Sequence, residues 1–235
     1  MHDLRTPVGH GSKRPPNMIA RPLVRSVVII GVRMESGQRN ARVLAFVAAH
    51  PDDDIMGVAG LIALHRHDPE LRFVLVHATD GEAGQIAPGS GATRETLGRL
   101  RREEDRRSWE VIGRVPDRHE WLGFPDGEVA ALPPGVLTAL IADIFAEERT
   151  DVLITSGPDG ITGHPDHIAV GAAASEAFTQ FAGSGRGFKR LFHAAYPQSA
   201  LARANARRIA TGRQPWNPSE LYHPRGSRTT TSTAP

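Results

Sequence analysis

The chain of 235 residues, 40% of them hydrophobic, is long enough to bury one sizeable core, so one main domain is expected. It has no cysteine, which excludes disulfides, thiolate metal sites and a cysteine nucleophile and leaves histidine and carboxylate to hold any metal. The net charge of +2 hides an asymmetry: 1–42 hold eight basic residues against two acidic, and 183–235 nine against one, which leaves 11 against 23 for 43–182. A body of net charge −12 argues against a surface that follows nucleic-acid phosphates, and no nucleic-acid partner is expected.

Residues 1–42 carry proline, glycine and arginine without periodicity and are expected to form a poorly ordered N-terminal extension, with Met34 an alternative translation start. Their most apolar stretch, LVRSVVIIGV (Leu23–Val32), is shorter than a membrane span, contains Arg25 and lacks a signal-peptide cleavage pattern. A cytoplasmic protein without a membrane span is expected.

From Val43 the pattern becomes regular. VLAFVAA (43–49), RFVLVHA (72–78), VLITS (152–156) and LFHAAY (191–196) are short apolar runs bounded by loop residues, as strands buried on both faces are. Helices are expected between them at Gly57–His67, with Leu61, Ile62 and Leu64 inward, and at Thr96–Gly113, Gly135–Glu148 and His167–Phe181. His65 and His67 stand two apart, share no helix face and read as solvated surface. Strands alternating with helices predict an α/β fold, a Rossmann-like, doubly wound and mostly parallel sheet with helices on both faces, whose ligands bind at the strand carboxyl ends. The main domain is expected to span 43–224, followed by a low-complexity tail over 225–235.

Two motifs occupy such ends. HPDDD (His50–Asp54) follows the first strand, and GPDGITGHPDHIAVG (Gly157–Gly171) follows VLITS. Three adjacent carboxylates beside an apolar core repel one another unless a cation or hydrogen-bond donors offset them. A turn or a helix cap accounts for one aspartate, and His164 and His167 could likewise cap the following helix. Two matching clusters at matching positions favour a site in which His50, one of the adjacent aspartates and His167 hold a divalent cation. A catalytic site of that kind keeps three protein ligands and an open position. The stretch after the first strand has no G-x-G-x-x-G turn, which leaves a dinucleotide-binding reading without support.

With these motifs, AHPDDD and GHPDH, the chain resembles the PIG-L/LmbE family of metal-dependent N-deacetylases. TDGEAG (Thr79–Gly84), RREEDRRSWEVIG and LGFPDG (Leu122–Gly127) are similar to further family segments in the same order, so the resemblance runs from about Val43 to Tyr196. It implies a hydrolase that removes an N-acyl group, N-acetyl in the first instance, from an amino sugar such as N-acetylglucosamine or its conjugate. The implied cofactor is Zn2+ or another divalent cation, and the nucleophile a zinc-bound water. His50, Asp53 and His167 are the implied metal ligands and Asp52 the base. His164 would stabilise the oxyanion or protonate the departing amine, oriented by Asp166. Arg101 and Asp126 match positions that hold substrate hydroxyls, with surface ion pairing an equal alternative. Asp54 stands where the family usually has glutamate, and the further elements the family carries after its fifth strand are not evident. Two alternatives therefore stand beside the deacetylase: an amidase of a sugar-thiol conjugate, and a catalytically impaired metal- or sugar-binding protein.

Overall fold

The computed structural model describes residues 42–182, 190–195, 197–215 and 231–232. In chain order the elements are β1 (Arg42–Ala48), α1 (Asp53–Gly57), α2 (Ala59–Leu64), β2 (Leu71–His77), α3 (Arg94–Ile112), β3 (Arg118–Trp121), α4 (Val136–Glu148), β4 (Val152–Ser156), α5 (Gly160–Gly163), α6 (Pro165–Ala182), β5 (Arg190–Ala194), α7 (Gln198–Ala210) and β6 (Thr231–Ser232). The sheet order is β3-β2-β1-β4-β5-β6. Strands β1 to β5 run parallel and β6 pairs antiparallel with β5. From β1 the chain builds outward through β2 to β3, then returns to place β4 on the other side of β1. The order of winding therefore reverses between β1 and β4, where a doubly wound sheet opens a crevice at its carboxyl edge.

Alternation along the strands divides the core between two faces. Ala45, Val47, Val74 and Val76 pack against Leu137, Ile141 and Phe145 of α4 and Val170, Ala174 and Phe178 of α6. Leu44, Phe46, Phe73, Leu75 and Ile154 meet Leu61 and Ile62 of α2 and Trp109 of α3. Both faces are covered, so β1 reads as an uninterrupted apolar run. Each large side chain so buried contributes about 1.5–3 kcal/mol.

Of the expected helix at Gly57–His67, Ala59–Leu64 is helical; Val58, whose φ of −125° leaves the helical region, separates it from a short helix over Asp53–Gly57 that the sequence reading did not include. Leu64, expected inward, is 83% exposed, because it lies more than a quarter-turn from the Val58–Leu61–Ile62 stripe that meets the sheet. The last of the expected helices begins two residues early, at Pro165, where a proline suits the first helical position. β3 and α7 are additions to the sequence reading, and the expected strand over 191–196 ends at Ala194. Residues 1–41 lie outside the described residues, as does 225–235 apart from Thr231 and Ser232, which pair with Phe192 and Leu191. No described helix is long and apolar enough to cross a membrane.

Candidate active site

The crevice between β1 and β4 is a cavity of about 570 Å3 whose lining includes His50, Asp52, Asp53, Arg101, Asp126, His164 and His167. At the end of β1 the chain turns through Asp52 with φ 94°, a left-handed conformation that is strained for a side chain other than glycine, though aspartate tolerates it better than most. The turn separates adjacent carboxylates. Asp53 Oδ2 swings back to accept the His50 backbone N–H at 3.0 Å, whereas Asp52 faces outward and its Oδ2 accepts from Arg101 at 2.9 Å. Arg101, from α3, also donates to the carbonyls of Pro51 and Gly81 and so ties the first loop to the second.

The other wall depends on two glycines. Gly160 has φ +61°, and a Cβ there would lie 2.8 Å from Ile168 Cγ1 and 3.1 Å from His167 Cβ, so both conformation and space demand glycine. Its carbonyl accepts from His167 Nδ1 at 3.0 Å. At Gly171 a Cβ would fall 2.2 Å from the Ser156 carbonyl oxygen, so the absent side chain lets α6 approach the end of β4. Ser156 then donates its hydroxyl to the His167 carbonyl at 2.7 Å.

The two imidazoles are oriented by their outer nitrogens. His50 Nε2 faces Asp126 Oδ1 at 3.0 Å and Asp166 Oδ2 at 3.4 Å, which turns Nδ1 inward, and the bond to Gly160 turns His167 Nε2 inward. The inward atoms meet Asp53 Oδ2: His50 Nδ1 to His167 Nε2 is 3.1 Å, His167 Nε2 to Asp53 Oδ2 3.3 Å and His50 Nδ1 to Asp53 Oδ2 3.7 Å. A tetrahedral ion with bonds of about 2.0–2.2 Å holds its donors roughly 3.3–3.6 Å apart, so the set fits a divalent cation. Acceptors on the outer nitrogens are the usual support for such imidazoles. Two further donor sets share the His50 ring: one with His164 and His167, and one with Asp126 and Asp166 on its outer side.

Burial disfavours charge on His50, but the bonds to Asp126 and Asp166 and the Asp53 carboxylate outweigh it and raise its pKa to about 10. A proton or a metal ion thus serves the same electrostatic need there. Desolvation by the cleft floor and repulsion from Asp53 push Asp52 up to about 6 against the pull of Arg101. Burial also opposes charge on Asp126 and Asp166, yet both lie below the usual carboxylate range because His50 and backbone N–H groups favour their ionised forms. Desolvation together with the neighbouring His50 and His167 lowers His164.

All eight candidate residues line this crevice or support its wall, but two have different neighbours from those expected. The Asp166 carboxylate does not reach back to His164. It sits under His50 and accepts from the backbone N–H groups of Gly127 at 2.8 Å and Ala130 at 3.4 Å. From Asp166 it is the backbone N–H that reaches His164, donating to Nδ1 at 3.2 Å, a contact that favours the tautomer with its proton on Nε2. Asp126 has one oxygen on His50 and the other on the Ala83 N–H at 2.9 Å, so both are committed within the protein. Sequence reasoning missed Glu82, whose Oε1 fixes the Asp126 backbone N–H at 2.8 Å; its place in TDGEAG was the available signal. It also missed a second cluster, His77, Asp105 and His119, for which no motif exists.

A doubly wound parallel sheet with a His–Asp–His donor set at its switch point defines the LmbE-like α/β class. Among solved structures, the fold is similar to that of N,N'-diacetylchitobiose deacetylase from Pyrococcus horikoshii, with a TM-score of 0.50 and 23% identity over 75% of this chain and 57% of that one. Residues 45–178 match the model of the PIG-L family, GlcNAc-PI de-N-acetylase, and the chain belongs to that family. It is 32% identical over 171 residues to a 1D-myo-inositol 2-acetamido-2-deoxy-alpha-D-glucopyranoside deacetylase of Kineococcus radiotolerans, covering 61% of this chain and 46% of that protein. It is 34% identical over 141 residues to a probable N-acetyl-alpha-D-glucosaminyl L-malate deacetylase 2 of Bacillus anthracis, covering 59% and 60%. The chain thus spans about half the length of these relatives.

Proposed function

We propose that this chain is a zinc-dependent N-deacetylase that hydrolyses the acetamide of an N-acetylglucosamine conjugate. The observation that carries the reading is the convergence of His50 Nδ1, Asp53 Oδ2 and His167 Nε2 within 3.7 Å, with the Asp52 carboxylate beside them at the open cleft. His50, Asp53 and His167 would hold the cation. When bound, it supplies a Lewis acid that polarises the amide carbonyl and acidifies water.

The remaining chemistry belongs to side chains. Asp52, with one oxygen held by Arg101, takes the proton from the attacking water and returns it to the amide nitrogen, so that acetate and a free amine leave. In the metal-free chain desolvation and repulsion from Asp53 hold its pKa above the usual carboxylate range, which favours its taking up a proton. His164 Nε2–H donates to the carbonyl oxygen as negative charge grows there. Asp126 and Asp166 hold the His50 ring, and Arg101 holds Asp52, in preference to substrate hydroxyls. A cleft of about 570 Å3 is in the range that encloses a sugar conjugate, and the names of the two relatives suggest inositol or malate as the second moiety. The lack of cysteine fits a reducing compartment, and the cytoplasmic location is part of the proposal.

The test is acetate release by the Zn2+-loaded full-length chain from the N-acetylglucosaminyl conjugates of inositol and malate and from a sugar-thiol conjugate. Release that chelation abolishes and Zn2+ restores is expected. Zinc binding without release from any of the three would leave a binding protein.

A further inference from the structure

We propose that His77, Asp105 and His119 form a second divalent-cation site, buried under α3 and separate from the crevice. β2 and β3 pair in parallel with Leu75 opposite His119 and His77 opposite Trp121, so both histidines lie on the sheet face that α3 covers. From α3, Asp105 and Trp109 stand one turn apart on the buried side of the helix. His77 Nδ1 lies 3.0 Å from His119 Nε2, which is 3.7 Å from Asp105 Oδ2, and the three donors fall within 4.8 Å of one another. The His–His spacing is close to the 3.1 Å of the His50–His167 pair, and the carboxylate stands farther off than Asp53 does from its imidazoles.

The surroundings repeat as well. His77 Nε2 faces Asp54 Oδ1 at 3.4 Å, which turns Nδ1 toward His119, as Asp126 turns the ring of His50. Trp109 Nε1–H holds the other Asp54 oxygen at 2.7 Å, and Trp121 stacks on His77 with centroids 4.3 Å apart.

The independent sign of a ligand is Asp105. The residue is 3% exposed on a helix face that otherwise meets the apolar core, and apart from the neighbouring Asp54 carboxylate neither of its oxygens has a hydrogen-bond partner among the described residues. Two buried carboxylates side by side repel, and either a proton shared between them or a cation must resolve the conflict. The two imidazoles aimed at the same point favour the cation. A surface cavity of about 720 Å3 borders the cluster, lined by His119, Trp109 and Trp121 together with Glu103 and four arginines of α3, so an incoming cation passes positive charge before it reaches the donors. None of this depends on the deacetylase reading.

The experiment counts metal. Full-length protein is stripped with chelator, reloaded with Zn2+, freed of excess by gel filtration and measured for zinc per chain. About two ions are expected in the wild type, about one in His50→Ala/His167→Ala, and none once His119→Ala is added to that pair. In the otherwise wild-type chain, Asp105→Asn should weaken the second site without emptying the first. A paired variant that holds no zinc, or zinc that stays after His119→Ala is added, overturns the proposal and assigns the Asp54–Asp105 contact to a shared proton. Should the triple variant fail to fold by circular dichroism, Co2+ loading of the paired variant decides. Visible d–d absorption bands are the expected result, and a spectrum without them overturns the site.

Discussion

Two groups of histidine and carboxylate flank β1 and β2, and they differ in what surrounds them. Around His50, Asp53 and His167 the inward atoms border an open cleft, and a further carboxylate, Asp52, stands at that opening on a left-handed residue. Around His77, Asp105 and His119 the donors are covered by α3 and stacked under Trp121, and the spare carboxylate, Asp54, is fully buried and hydrogen-bonded to Trp109. The same ligand types therefore suit two tasks. On the proposed reading, a base at the cleft opening serves water activation, and a buried carboxylate serves only to brace an imidazole.

The largest effect that would sharpen this contrast is on turnover. Asp52→Asn is expected to lower kcat by about 10³ while zinc content stays at the wild-type level, because an amide cannot take the proton. Asp105→Asn should leave kcat within a few-fold. Equal losses in both variants, read from steady-state kinetics, would break the distinction. Since Asp52 must be ionised to act, the wild-type rate should also fall as pH drops through about 6, with a bound cation moving that limb further toward acid.

Next in size is the support of the ligands. Asp126→Ala removes the closer acceptor on His50 Nε2 and should weaken zinc binding at the cleft about 10- to 100-fold, measured by competition with a chelating dye. An unchanged affinity would mean that Asp166 alone orients the ring. The wall is more sensitive to shape. Gly160→Ala adds a strained φ and a 2.8 Å contact, and should cost about 1–3 kcal/mol of stability by denaturant titration together with part of the zinc affinity.

The smallest effect lies far from both groups. Glu148 accepts two hydrogen bonds from Arg72 and a third from Arg118, and these hold its carboxyl below the usual glutamate range. A carboxylate with a depressed folded pKa stabilises above its unfolded pKa, and that contribution disappears as pH falls through the folded value. With Arg72 40% exposed, solvent screening limits the contribution to about 1 kcal/mol. Glu148→Gln should therefore lower the midpoint of unfolding at neutral pH and match wild type at the acidic end. A constant difference across pH would show that charge is not the cause.

Much of this architecture is readable from the chain. β1, β2, β4 and β5 are largely buried and so stand out as apolar runs; one His-Pro-Asp motif follows β1 directly, and the other opens α6 after the short α5 that follows β4. β3 is not readable in that way. RHEW is half-buried at the outer side of β2, and its Arg118 donates to Glu120 of the same strand and to Glu147 and Glu148. Direction was also hidden. Spacing puts Asp166 beside His164 but cannot say that its carboxylate turns to His50, because the backbone N–H groups that draw it there come from 127–130. Asp105 sits in a run of charged residues, RREEDRR, where only the packing of α3 distinguishes the buried aspartate from its solvated neighbours.

Whether His50, Asp53 and His167 hold the cation is decided by a crystal of the Zn2+-loaded protein measured at the zinc absorption edge. An anomalous peak enclosed by His50 Nδ1, Asp53 Oδ2 and His167 Nε2 is expected, with Asp52 beside it. A crevice without a peak there, or one whose peak lies on the far side of the ring among His50 Nε2, Asp126 and Asp166, would contradict that assignment.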